Sequence, residues 1–193
     1  MSLERIFNAE SVAIIGASRN ETKRGYQAIR TLLDEKYEGK IYPVNPKEKS
    51  ILGFRCYPSV ADIEGPIDVA LVATPAKSLP SVLADCGKKG VKGAVVLAGG
   101  FGEIGAQGRK LEDEMVAAAK KHHIRLIGPN TSGMLNLKDN LNLVGLKDGP
   151  RGDIALLTQS GNMALTLITE AKIKSRKGFS YYVGVGNEAD IKF

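Results

Sequence analysis

The chain has 193 residues, room for one large domain or for one domain and part of another. An apolar fraction of 43% and a charged fraction of 25% are those of an ordinary globular protein, and no apolar run approaches the roughly 18 residues of a membrane helix. The formal net charge is +6, but basic residues are mostly interleaved with acidic ones; with aromatics at 6% and no nucleic-acid motif, this charge suits an anionic small ligand rather than DNA or RNA.

The opening MSLERIFNAE carries acidic residues and no long apolar core, so no signal peptide is expected and a cytoplasmic location is. The organising stretch is Ser11 to Gly25, SVAIIGASRNETKRG. Val12 to Ile15 is a short apolar run, right for a strand buried on both faces of a parallel sheet. It breaks at Gly16-Ala17-Ser18, where small residues let backbone approach a ligand closely. Tyr26, Ile29 and Leu33 then recur at helical spacing and are expected to face inward. Strand, tight turn and helix make the phosphate-binding corner of a doubly wound sheet. The glycine signal is sparse, because only Gly16 and Gly25 remain and neither G-x-G-x-x-G nor G-x-x-x-x-G-K-[ST] occurs.

Lys40 to Pro46 reads as the second strand. Where NAD-binding sheets place an acid for the ribose, this strand ends in Asn45-Pro46-Lys47, which favours a ligand with an extra phosphate. Gly53 to Tyr57 suggests a short strand and Ser59 to Ile63 a helical turn. Ile67 to Ala73 is a buried strand ending at Thr74-Pro75. Ser78 is expected to cap a helix that carries Leu79, Val82, Leu83 and Cys86 on one face and stops near Gly90. Cys86 therefore reads as core, and the two cysteines, Cys56 and Cys86, lack disulfide or metal spacing. Lys92 to Ala98 is the next strand, followed by Gly99-Gly100-Phe101-Gly102-Glu103. A helix from Ala106 to His123 turns Leu111, Met115 and Ala118 inward, and the strand Arg125 to Ile127 ends in Gly128-Pro129-Asn130. Glycine or proline at these strand ends points to a ligand cleft along the carboxyl edge of an α/β sheet.

Met134 to Leu146 looks extended or hairpin-like, and KDGPRG at 147–152 reads as a linker. The opening pattern then recurs. Asp153 to Leu157 is a strand, Gln159-Ser160-Gly161 a turn, and Asn162 to Lys174 a helix with Met163, Ala164, Leu167 and Ile168 inward. The basic cluster KIKSRK at 172–177 follows, and Phe179 to Val185 is one more strand. The division expected is a first domain at 1–148 and an incomplete second α/β domain at 149–193. So short a second unit needs apolar cover from the first domain, from a missing continuation or from another copy of the chain.

Seven segments, SVAIIGAS, KIYPVNPK, IDVALVATP, AGGFGE, RLIGPNTSG, LLTQSGNMA and VGVGNEAD, resemble in order and spacing the ADP-forming acetyl-CoA synthetases, relatives of the succinyl-CoA synthetase α subunit. The resemblance implies a Rossmann-like CoA-binding domain followed by the start of a flavodoxin-like ligase domain. It implies that Gly16, Ala17, Ser18 and Gly25 flank the CoA pyrophosphate and that Lys47 faces the 3′-phosphate. Thr74, Pro75, Gly99, Gly100 and Gly102 would line the nucleotide and pantetheine path, and Gly128, Pro129 and Asn130 would sit near the thiol. Gln159, Ser160 and Gly161 would offer a helix N-terminus to a phosphohistidine. The family's histidine has no counterpart here, since His122 and His123 fall elsewhere; it and the ATP-grasp module that takes Mg-ADP or ATP would lie outside this sequence. No catalytic residue and no metal ligand is therefore assigned to the chain itself. A non-catalytic CoA-sensing module and an NADP-binding domain are the other readings.

Overall fold

A computed structural model describes residues 3–174 and 177–193. A short helix α1 (Glu4–Phe7) leads into β1 (Ser11–Ile15), α2 (Arg24–Asp34) and β2 (Lys40–Val44). A small hairpin of β3 (Ser50–Ile51) and β4 (Phe54–Arg55) follows, then β5 (Val69–Val72), α3 (Leu79–Lys89), β6 (Gly93–Val96), α4 (Ala106–Lys121) and β7 (Arg125–Ile127). The five long-range strands pair in parallel in the order β2-β1-β5-β6-β7, the α/β Rossmann-like architecture expected.

The apolar runs explain the layering. All five residues of β1 are buried, and successive side chains point to opposite faces. Val12 and Ile14 join Ala28, Ile29 and Leu32 of α2 in one cluster. Ala13 and Ile15 join Leu79, Leu83 and Cys86 of α3 and Met115 and Ala119 of α4 in the other. Burial pushes the Cys86 thiol pKa up to about 12, so this cysteine is a core residue and not a nucleophile.

Two local expectations are corrected. The buried stripe of α2 is Gly25, Ala28, Ile29 and Leu32, spaced i, i+3, i+4 and i+7; Leu33 lies one residue further round and is 40% exposed. Ser78 precedes α3 but does not cap it: its hydroxyl donates to the Pro75 carbonyl and pairs with the Thr74 hydroxyl, stabilising the turn after β5. By contrast, Ser59 and Asp62 form a reciprocal capping box around the turn Val60–Asp62, and Gly90 ends α3 in the left-handed conformation.

The second sheet begins earlier in sequence than KDGPRG. β8 (Met134–Asn136) and β9 (Leu141–Asn142) form a hairpin, and β10 (Arg151–Thr158), α5 (Gly161–Lys174) and β11 (Phe179–Gly184) follow. β11 pairs in parallel with β10 and antiparallel with β8, giving the order β10-β11-β8-β9. One face of this sheet packs under Ala164 and Ile168 of α5. From the other, Met134, Leu141 and Val183 enter the cluster that α2 shares with β1, so the two sheets share a core. The apolar cover of Val183 and Ile168 is thus supplied within the chain. Met163 and Leu167, expected inward, are 53% and 46% exposed, because α5 meets the sheet along the single line of Ala164 and Ile168. The basic cluster at 172–177 includes residues 175–176, which lie outside the described residues.

After β11 the chain runs back along the first sheet. Asn187 N–H donates to the Pro129 carbonyl at 2.9 Å, Ala189 N–H to Gly128 and Ile191 N–H to Leu126. Asp190 Oδ2 accepts from Leu126 N–H and Arg125 Nε, both at 2.8 Å. Residues 187–191 therefore cover the open side of β7.

Candidate functional site

A cleft of about 320 Å³ opens where β1, β2 and β5 end, between the turn at Gly16 and the segment from Pro58 to Val60. Gly16 sits at φ +86°, and a Cβ there would lie 2.9 Å from the Ala73 carbonyl oxygen, so only glycine lets the chain turn this close to β5. The amides of Gly16 and Ala17 both donate to the Val44 carbonyl. They hold the turn and are not free to cradle an anion. Asn45 completes the buttress: its Nδ2 donates to the Ala17 carbonyl at 2.6 Å, and its Oδ1 accepts from Lys47 N–H. Ser18 Oγ accepts from Asn20 N–H, and Asn20 Oδ1 from Thr22 N–H. The helix begins only at Arg24, with Lys23 at the N-cap and no side-chain cap, which leaves first-turn amides of α2 without helical partners. Gly25 brings that turn against the loop, since a Cβ on it would stand 2.3 Å from Gly16 O.

Gly16 and Thr74 line this cleft together with Asn45, Pro46, Ser78 and Asp85. Pro75 follows Thr74 and starts the turn into α3. Lys47 is exposed just beyond the lining residues, on the turn after β2. A second cavity, of about 550 Å³, opens between the two sheets. It collects Asn130 from the GPN turn and Gln159, Ser160 and Gly161 from the turn into α5, with Arg24 and Ser132 beside them. Gln159 Nε2 donates to the Gly186 carbonyl at 3.1 Å. Gly128 has φ +103° and precedes Pro129 in a cis peptide bond. His122 and His123 end α4, at the opposite edge of the sheet from both openings.

The turn at Gly99 to Gly102 holds what the sequence did not reveal. Its amides are occupied from within: Glu103 accepts from Gly100 N–H and from Phe101 N–H, and Glu112 accepts from Gly102 N–H at 3.2 Å. Asn187 bridges both carboxylates, donating to Glu103 Oε2 at 2.6 Å and to Glu112 Oε2 at 3.0 Å, and it accepts from Asn130 Nδ2. The roles of Glu103, Glu112, Asn187 and Asn45 escaped the sequence reading because each also acts on a residue distant in the chain.

Burial pushes the Glu103 carboxyl up, but the Asn187 amide and the N–H groups of the turn outweigh that effect and leave its pKa below the ordinary value. A depressed folded pKa contributes stability that is complete above the ordinary carboxylate range and is lost as pH falls through the depressed value. The protection factors of the Gly100 and Phe101 amides should therefore fall on acidification, relative to those of core amides such as Leu71. Glu103→Gln should show that lower protection already at neutral pH. A protection factor at Gly100 that changes neither with pH nor with this substitution would show that the carboxylate does not organise the turn.

Residues 10–136 match the family model described as a CoA binding domain. Residues 151–193 match that of a succinyl-CoA ligase like flavodoxin domain. The chain is 40% identical over 191 residues to the acetate–CoA ligase [ADP-forming] II subunit alpha of Pyrococcus furiosus, covering 99% of this chain and 41% of that one. It is 44% identical to the acetate–CoA ligase [ADP-forming] of Methanocaldococcus jannaschii, covering 98% of this chain and 26% of that one. Among solved structures, the dinucleotide-forming acetyl-coenzyme A synthetase 1 of Ca. Korarchaeum cryptofilum, in complex with phosphate and ADP, superposes with a TM-score of 0.94 at 38% identity, covering 99% of this chain and 41% of that one. The chain thus spans well under half the length of each of these three relatives.

Proposed function

Because the chain belongs to the CoA-binding domain family, with the first part of a succinyl-CoA ligase-like flavodoxin domain behind it, we propose that it is the CoA-binding part of an ADP-forming acid–CoA ligase. The overall reaction is acyl-CoA, ADP and phosphate to acid, CoA and ATP, through a phosphohistidine that this chain does not supply. The observation that carries the reading is the pair of openings along one carboxyl edge, the cleft beside Gly16 and the cavity beside Gln159-Ser160-Gly161. A long, jointed ligand such as CoA can lie in the first and deliver its thiol toward the second.

In this reading the anionic end of CoA meets the first turn of α2, where Gly16, Ala17, Ser18 and Gly25 bring backbone close and the helix offers unpaired N–H groups. Thr74, Pro75 and the Gly99 to Gly102 turn border the pantetheine path. Gly128, Pro129 and Asn130 border the thiol, and Gln159, Ser160 and Gly161 present the head of α5 to the phosphoryl group. Phosphoryl transfer to ADP falls to an ATP-grasp partner, as a separate domain or subunit, and Mg-ADP belongs there. The fraction of the relatives left uncovered has room for it.

Lys47 is assigned to the 3′-phosphate, because its exposed turn stands at the mouth of the cleft where an NAD site would place an acid. A charge-assisted contact contributes roughly 1.5–3 kcal/mol, or about ten- to a hundred-fold in affinity. Calorimetry should show CoA binding more tightly than dephospho-CoA, and Lys47→Ala should erase the difference. Equal affinity for the two ligands in the unmodified chain would defeat the assignment, and no binding of either would defeat the function.

A further inference from the structure

Arg24 is the single charged residue among those lining the cavity between the two sheets; the others are Leu97, Leu165 and neutral polar or glycine residues. It stands at the head of α2, and its Nη2 reaches across to the Ser132 carbonyl at 3.0 Å. Among the described residues no carboxylate pairs with it, whereas Arg19, Arg30, Arg125 and Arg151 each have an acidic partner. The residue is exposed overall, yet its surroundings partly desolvate the guanidinium and lower its pKa from the ordinary value. It remains cationic at any pH at which the protein is folded.

A guanidinium carries five N–H donors in a planar fork, and a single carbonyl leaves most of them free. Its shape and charge match a carboxylate or a phosphate taken two-pronged. The cavity supplies neutral hydrogen-bonding side chains around it, from Asn130, Ser132, Gln159 and Ser160, but no other charge. A lone cation in such a setting selects for negative charge in what enters.

We propose that Arg24 is the oxyanion-recognising residue of the cavity between the sheets and fixes which anionic substrate group is held beside the turn at Gln159-Ser160-Gly161. The inference rests on the ligase reading for the identity of the anion, which is either inorganic phosphate or a carboxylate of the acid. The reacting carboxylate is lost on thioester formation, whereas a second one survives it, so recognition of a second carboxylate by Arg24 would select a dicarboxylic substrate.

The test uses the whole chain, labelled with 15N, titrated separately with inorganic phosphate, acetate and succinate, with CoA titrated in parallel. At least one of the three anions should move the amide signals of residues 130–132 and 159–162. Arg24→Gln should weaken that binding about tenfold or more, and Arg24→Lys should fall between, since it keeps the charge but loses the fork. Shifts from phosphate alone identify the inorganic anion as the ligand. Shifts from succinate well beyond those from acetate identify a dicarboxylic acid, and equal shifts identify a single carboxylate. The proposal is overturned if none of the anions moves these signals, or if Arg24→Gln binds as tightly as the unmodified chain. A variant that merely loses thermal stability while keeping anion affinity marks Arg24 as a structural tie to Ser132, which also overturns it. CoA binding without anion binding removes Arg24 alone; anion binding without CoA binding removes the ligase reading and leaves Arg24 in place.

Discussion

Replacing Gly25 by alanine should weaken CoA binding on the order of a hundred-fold and destabilise the fold with one methyl group. A Cβ at this position would lie 2.3 Å from Gly16 O and 2.9 Å from both Gly16 C and Ala17 Cα. All three are backbone atoms of the turn that ends β1, so no flexible side-chain tip can swing away. The head of α2 must retreat on the order of 1 Å to restore van der Waals separation, and overpacking of this kind costs about 1–3 kcal/mol or more. The same retreat would move the first-turn amides away from the anion proposed to sit on them, and a displacement of that size costs on the order of a hundred-fold where groups must be well placed. Calorimetry with CoA and thermal unfolding read the two effects separately. An alanine variant that kept CoA affinity within about threefold would show that the corner of β1 and α2 is not the anion seat.

The second large effect is expected at Gly186, where the chain returns from the second sheet to the first. Its φ is +57°, and a Cβ would stand 2.2 Å from Pro129 O and 2.9 Å from the carbonyl carbon and oxygen of Asn130. Gly186→Ala therefore adds left-handed backbone strain to a clash with the GPN turn. The segment behind it would lift, and with it the Asn187 bridge to Glu103 and Glu112 and the Asp190 contacts with Arg125 and Leu126. A loss of about 2–4 kcal/mol is expected from strain, clash and severed hydrogen bonds together. Denaturant unfolding measures it, and amide exchange at Leu126, whose N–H is held by Asp190, should rise in step. Unchanged stability with unchanged protection at Leu126 would mean that the return segment is not what joins the two sheets.

Much of this fold could be read from short-range pattern. The runs at Val12, Val69 and Gly93 are apolar because both faces of those strands are covered, and Gly90 and the Ser59 capping box announce their turns with local chemistry. Where two apolar neighbours competed for one helix face, pattern was not enough. Leu33 was named for the buried face where Leu32 lies, and Met163 and Leu167 were placed inward together with Ala164 and Ile168, because only the opposing surface decides which side chain is covered. The glycines at 16, 99 and 128 were visible as strand ends. What holds them was not: Asn45 acts on Ala17, Arg24 on Ser132, and Asn187 on Glu103, each across a stretch of chain over which no periodicity carries information. The glycine turn at 99–102 is the instructive case. It was expected to line the ligand path, yet glutamates 103 and 112 already occupy the amides of Gly100, Phe101 and Gly102.

The strip formed by residues 187–191 also bears on the order in which the molecule can assemble. The first sheet has all its strands once residue 127 is in place, but β7 remains an open edge until the chain has continued to Ile191 and returned. During that interval the outward N–H of Leu126 and the carbonyls of Leu126 and Gly128 form an unpaired template to which a strand of another molecule could add. Asp190 then takes the Leu126 amide through its side chain, so a fully docked chain presents a carboxylate rather than a continuous row of backbone groups at that edge. The contact between the sheets thus also protects against edge-to-edge aggregation, at the cost of leaving the edge exposed until late in folding.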